Sequence, residues 1–278
     1  MNVSLHHTVD LQQTIWTVEK LGALSILICA LEALFNFRRI RGGELVDWTV
    51  TRETSWNYRT KPVSRWLDIL LVRPGVVALT ALQCAAAASM LLLGPEHKGW
   101  AGALDVLLAV LCTLFMVREP FGRDGADQMQ IVIFGSLALA HLHPTPLIQR
   151  SAVWFIALQV ILSYFTAGLS KAWSPVWRSG KALPAIISTR IYGNAKIAHY
   201  LDRRPQVSQF ICMGTIAFET LFPFVLLAPP VIIVGMLFIG MSFHLSIARI
   251  MGLNTFFWVF LATYPAILYC CRLTLSFR

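Results

Sequence analysis

Long apolar runs alternate along the chain with short polar connections. The runs lie near residues 20 to 37, 74 to 94, 99 to 117, 131 to 142, 151 to 170, 207 to 228, 231 to 248 and 253 to 271. A helix rising ~1.5 Å per residue needs roughly 20 apolar residues to cross ~30 Å of hydrocarbon, and most of the runs approach that length. The pattern predicts an all-α fold, a polytopic integral membrane bundle of about eight transmembrane helices in a single domain over residues 1–278. The run at 131 to 142 is short. It crosses if Gln128 and Gln130 sit in the headgroup zone and is otherwise a re-entrant segment, so the count holds to within one. Pro229 and Pro230 mark a tight turn between two antiparallel spans. The first run opens after a polar stretch and is followed by Arg38, Arg39 and Arg41 without a small-residue cleavage site, which reads as an anchor and not a cleaved signal.

Composition agrees with this pattern. Hydrophobic residues make up 56% of the chain and charged residues only 13%, about half the charged share of a soluble domain and too little to coat a water-facing surface. A formal charge of +9 raises the question of nucleic acid, but the Lys and Arg residues cluster in short inter-helix loops beside tryptophans. That is a membrane-surface pattern, and the partner it implies is membrane lipid. Most cations fall in the first, third, fifth and seventh connections, which places those loops in the cytoplasm and both termini outside. The first loop, 38–73, carries Trp48, Trp56 and Trp66 among Arg52, Arg59, Lys61 and Arg65. The fifth, 172–206, mixes Trp173, Trp177, Tyr192 and Tyr200 with cations. Both are expected to form interfacial helices, since aromatic rings favour the headgroup level, and the fifth is long enough to close over the bundle. The six cysteines fall mostly inside the runs with no paired C-x-x-C spacing in any loop, which reads as apolar packing.

A charged group at the centre of a span costs several kcal/mol, so each polar residue inside a run needs a reason. Asp105, Lys171, Glu219, His244 and Arg249 are the candidates. Tyr164, Gly168 and Lys171 share one helical face by i, i+4, i+7 spacing, with a small residue that leaves room for a ligand or a neighbouring helix. A partly desolvated lysine can act as a general base; the bland alternative is a lysine snorkelling to the headgroups. His244 sits mid-run with Gly240 one turn earlier, and fits either a proton relay or a hydrogen-bonded packing residue. Glu219 lies one turn before Pro223 and is placed to pair with Lys171 or Arg249. Asp105 is near enough to the start of its run to reach the interface, and Arg249 reads as an anchor. In the third loop, Asp124 and Asp127 flank a glycine just before the next run, where a tight turn capping the helix accounts for Asp127. His141 and His143 point their rings apart on a helix, and the seven histidines share no face, so no metal site is expected.

Three stretches carry a resemblance to a known family. They are Gly122 to Gln128; Tyr164 to Lys171 with Trp177 and Gly180 after it; and Ser242-Phe243-His244 followed by Met251-Gly252-Leu253 and Phe256. In these the chain resembles the horizontally transferred transmembrane (HTTM) domain, related to the membrane domain of vitamin K-dependent gamma-glutamyl carboxylase. The resemblance implies that Lys171 matches the lysine that deprotonates vitamin K hydroquinone, and that His244 matches a histidine stabilising the glutamyl carbanion. It implies a reduced, lipophilic quinone as cofactor. Carboxylases carry a large luminal domain after the membrane helices, whereas this chain ends a few residues past its last run. The nearer likeness is to bacterial members related to sporulation-delaying protein B, which mature a secreted peptide toxin beside a small partner protein in the cytoplasmic membrane.

Two readings follow. In the first, the chain is a membrane enzyme that modifies or helps mature a secreted peptide, with Lys171 and His244 catalytic and Tyr164, Gly168, Glu219, Asp124 and Asp127 in support. In the second, it is a non-catalytic partner, an immunity or export factor, whose buried polar residues hold the bundle together.

Overall fold

A computed structural model describes residues 2–36, 48–54, 63–118, 125–189 and 193–276, and every regular element among them is helical. In chain order these are α1 (Asn2–Asn36), α2 (Trp48–Thr54), α3 (Val63–Leu71), α4 (Arg73–Leu92), α5 (Lys98–Arg118), α6 (Gly125–Leu142), α7 (Pro146–Trp173), α8 (Pro175–Arg178), α9 (Ala182–Ile187), α10 (Ala195–Asp202), α11 (Pro205–Leu221), a 3-10 turn (Phe222–Leu227), α12 (Pro230–Met251) and α13 (Asn254–Ser276). Prolines punctuate the long helices as expected. Pro223 ends α11 in the 3-10 turn, and Pro229-Pro230 opens α12.

Six helices among the described residues are long and apolar enough to cross a membrane, and they mark the chain as an integral membrane protein: 74–92, 98–118, 146–173, 205–227, 230–251 and 254–275. The two further runs that made the expected count about eight also form helices, α1 and α6, and are not among these six. In α6, Asp127, Gln128, Gln130 and His141 dilute the apolar run.

The chain forms two compact units, Met1–Val153 and Trp154–Arg278. In the first, α1 packs on α4 and α6, and α5 lies between α4 and α6. Its connection between α1 and α4 holds the short helices α2 and α3, as the loop composition predicted, but Trp48 is not a headgroup anchor. It is fully buried against Leu71, Val76, Leu111 and Phe115, and its indole donates to Asp68 at 2.7 Å, while Arg52 pairs with the other oxygen of Asp68 at 3.0 Å. Trp66 is exposed, as an anchor requires; Trp56, Arg59 and Lys61 lie outside the described residues. In the second unit, α12 packs on α13, both touch the 3-10 turn, and the short helices α8, α9 and α10 pack on the start of α11. All six cysteines are free thiols, four of them buried, in keeping with a packing role.

Candidate functional site

The polar residues of the second unit gather along the face of α7 that carries Tyr164, Gly168 and Lys171. At its C-terminal end the Lys171 ammonium donates to both carboxylate oxygens of Glu219, at 2.9 and 2.7 Å. The Glu219 side chain is 4% exposed and that of Lys171 19%, so the pair sits almost wholly out of water. Two hydrogen bonds to one carboxylate offset part of the desolvation that such burial imposes.

Gly168 makes this meeting possible. A Cβ at that position would lie 2.5 Å from the Thr220 backbone nitrogen and 2.9 Å from the carbonyl carbon of Glu219. Only a residue without a side chain lets α7 and α11 approach so closely, and the approach carries Glu219 within reach of Lys171 one turn further on. Gly168→Ala is therefore expected to destabilise the protein by about 1 to 3 kcal/mol through backbone displacement. Thermal unfolding in detergent measures this, and an unchanged midpoint would contradict the close approach.

Beyond α7 the chain turns back over the lysine. Pro175 starts the short α8, and Gly180 closes it in the left-handed region at φ 78°. Two side chains of α11 hold the turn. Ser208 donates to the Gly180 carbonyl at 2.5 Å, and the Gln209 amide donates to the Arg178 carbonyl at 3.0 Å. Trp177, fixed by this turn, presents its ring 5.2 Å from the Lys171 ammonium, a cation–π distance. Lys171 is thus bracketed by a carboxylate and an indole.

At the other end of the face, the Tyr164 hydroxyl and His244 Nε2 are hydrogen-bonded at 2.7 Å, both residues being buried. The imidazole stacks on Phe260 at 4.2 Å and on Phe256 at 6.0 Å, and Tyr164 packs on Phe218 and Phe222. Gly240, one turn before His244, faces the hydroxyls of Tyr264 and Tyr164. Among the described residues, His244 Nδ1 is buried with no hydrogen-bond partner. A buried polar atom without a partner costs about 1 to 3 kcal/mol, so its presence in this aromatic box calls for a function or a visiting ligand.

Of the residues picked out from sequence, the structure joins Tyr164 to His244 and Lys171 to Glu219, with Gly168 between the two pairs on α7. Lys171 and His244 have different partners and stand at opposite ends of that face, seven residues or ~10 Å apart along the helix as counted from Tyr164. Glu219 pairs with Lys171 and not with Arg249, which is exposed in the last turn of α12. Asp124 lies outside the described residues. Asp127 occupies the first turn of α6 in the first unit, where a negative charge suits the helix N-terminus. Asp105 does not reach the interface: it is fully buried, 3.1 Å from His141, because α5 packs that face on α6. Sequence reasoning does not single out Trp177, or the buried hydroxyl of Thr220, which has no hydrogen-bond partner among the described residues, as parts of a site. Trp177 had a signal, six residues after Lys171 in a stretch quoted for the family resemblance; Thr220 had none.

A match to the HTTM domain spans residues 144–271, a range that includes Tyr164, Gly168, Lys171, Glu219 and His244. No curated protein and no solved structure matches the chain.

Proposed function

We propose, taking the HTTM match over residues 144–271 as the premise, that this protein is a membrane enzyme of the carboxylase-like group that modifies or helps mature a secreted peptide. The observation that carries the reading is the almost fully buried Lys171–Glu219 pair, capped by Trp177. An ammonium cannot accept a proton. In a low-dielectric site the proton can pass along the hydrogen bond to the carboxylate, which leaves a neutral amine beside a carboxylic acid, and that amine is a base. Glu219 is then the residue that holds the proton while Lys171 works. His244, with Nε2 held by Tyr164 and Nδ1 free, is oriented to donate to or accept from a group that develops charge beside it.

The resemblance to the carboxylase membrane domain implies a reduced quinone, and three features support one: Lys171 offers the base, the Thr220 hydroxyl is buried with no hydrogen-bond partner among the described residues, and the Trp177 ring offers an aromatic face. A reduced quinone bound there would supply an acidic ring hydroxyl, and Lys171 would be the group placed to hold its proton. The peptide substrate, a small partner protein and residence in a bacterial cytoplasmic membrane belong to the same reading, in line with the likeness to the sporulation-delaying protein B group. Mass spectrometry of the peptides secreted by cells with and without the protein tests it. A peptide whose mass changes only when the protein is present is expected. Identical peptide masses, with export or toxicity altered, would favour the non-catalytic reading, in which Lys171 and Glu219 serve only each other.

Topology supplies a separate test. At 18 residues α6 is ~27 Å long, close to the hydrocarbon thickness, and its crossing would put the basic first and fifth loops on one side. Reporter fusions after residue 50 and after residue 185 are expected to report the cytoplasm together, and a fusion at the C-terminus the opposite side. Opposite sides for the first two would mean an odd number of crossings between them and would take α6 out of the count.

A further inference from the structure

Three polar side chains of the first unit meet where α1, α5 and α6 converge. His141 Nδ1 lies 3.1 Å from Asp105 Oδ2 and 3.4 Å from Glu19 Oε1, and one ligand atom from each of the three residues falls within 4.8 Å of the other two. Glu19 and Asp105 are 3% and 0% exposed. Gly102 permits the convergence, since a Cβ there would stand 2.7 Å from the His141 Cβ.

The cluster is short of positive charge. Among the described residues Glu19 and Asp105 are ion-paired only to His141, and Glu19 Oε1 and Asp105 Oδ1 have no hydrogen-bond partner. Lys20 is adjacent to Glu19 and adds a longer-range positive charge, but its ammonium forms no ion pair in the cluster and donates instead to the carbonyls of Met90, Leu91 and Leu93 at the end of α4. Two buried carboxylates thus face one imidazole, an arrangement that a doubly charged cation would balance.

The spacing fits such an ion. Two ligand atoms bound to one metal at about 2.1 Å, at roughly 90 to 110° to each other, lie ~3.0 to 3.4 Å apart. The two measured edges of the cluster are that long. One imidazole nitrogen with two carboxylates suits zinc, manganese or iron(II) better than magnesium or calcium, which call for more oxygens. A cavity of about 530 Å³ opens on Glu19 and His141 and is also lined by Gln12, Trp16, Lys20 and Lys98, so the cluster has an entry path.

We propose that Glu19, Asp105 and His141 bind one divalent transition-metal ion of the zinc class, with a coordination position open to the cavity for water or a small anionic ligand. His141 Nδ1 also faces the Leu137 carbonyl at 3.1 Å, so for that nitrogen to take the ion the ring carries its proton on Nε2. The site is independent of the function proposed for the second unit.

The test uses the full chain in detergent, stripped with a chelator and titrated with Zn²⁺ against a chromophoric competitor, and separately with Co²⁺. One ion per chain is expected. Glu19→Gln, Asp105→Asn and His141→Gln, each kept monodisperse, should weaken binding by at least about tenfold. Absence of stoichiometric binding, or affinity unchanged in these three variants, overturns the site and leaves the cluster as a proton-sharing network. Should a variant fail to stay monodisperse, the Co²⁺-loaded wild type decides: one paramagnetically shifted imidazole supports the site, and none refutes it.

Discussion

Replacing Lys171 with methionine is expected to abolish modification of the secreted peptide, a loss of at least about 10² to 10⁴ in rate, the usual contribution of a positioned general base. It should also lower stability by about 3 kcal/mol, because Glu219 at 4% exposure is left as a buried carboxylate without its ammonium. Glu219→Gln should be gentler on stability, since Lys171 at 19% exposure sits at the end of α7 beside Trp177 and can carry its charge toward the headgroups. Its effect on modification should nonetheless be severe, because the amine loses the group that takes its proton. Lys181 serves as the control: it is exposed, and Lys181→Ala should change neither quantity. Residual modification in Lys171→Met equal to that control would remove the base assignment. Peptide mass spectrometry and thermal unfolding in detergent give the two readouts.

The second large effect is expected at His244. Its ring fills a slot between Phe260, Phe256 and Tyr164, so His244→Phe keeps most of the packing while removing both nitrogens. Stability should fall by no more than about 1 to 3 kcal/mol, the result of leaving the Tyr164 hydroxyl without its partner. Peptide modification should fall at least tenfold to a hundredfold if the unpartnered Nδ1 acts on the reacting group. Tyr164→Phe separates the two roles. It removes the same hydrogen bond but leaves Nδ1 in place, so it should match His244→Phe in stability and exceed it in modification. Equal activity in the two variants would reduce His244 to a packing residue.

Much of the second unit was legible because the relevant signals are local. Helix periodicity put Tyr164, Gly168 and Lys171 on one face, and Pro223 and Pro229-Pro230 ended and began helices where the backbone requires it. Burial arguments alone flagged Glu219 and His244, since a polar group in an apolar run must find a partner. Which partner it finds is decided by helix packing, and periodicity does not report that. The sequence therefore left Glu219 between Lys171 and Arg249, and did not reveal that Lys171 and His244 occupy opposite ends of the face. The cluster of Glu19, Asp105 and His141 was missed for the same reason. Glu19 lies at the polar edge of the first run, Asp105 lies near enough to the start of its run to reach the interface, and the shared face sought for His141 is one with other histidines, whereas its partners are acids on other helices. Trp48 misled in the opposite direction, because a tryptophan in a basic loop resembles a headgroup anchor until Asp68 and the apolar cluster around it are seen.

On the function proposed above, the Lys171–Glu219 pair serves chemistry and is not there to hold α7 against α11. The double variant Lys171→Met/Glu219→Leu tests it most directly, because it removes both charges together and leaves no stranded ion in the interior. The expected protein is at least as stable as the wild type, by thermal unfolding in detergent, and leaves the mass of the secreted peptide unchanged. A double variant that still modifies the peptide at the wild-type level would contradict it.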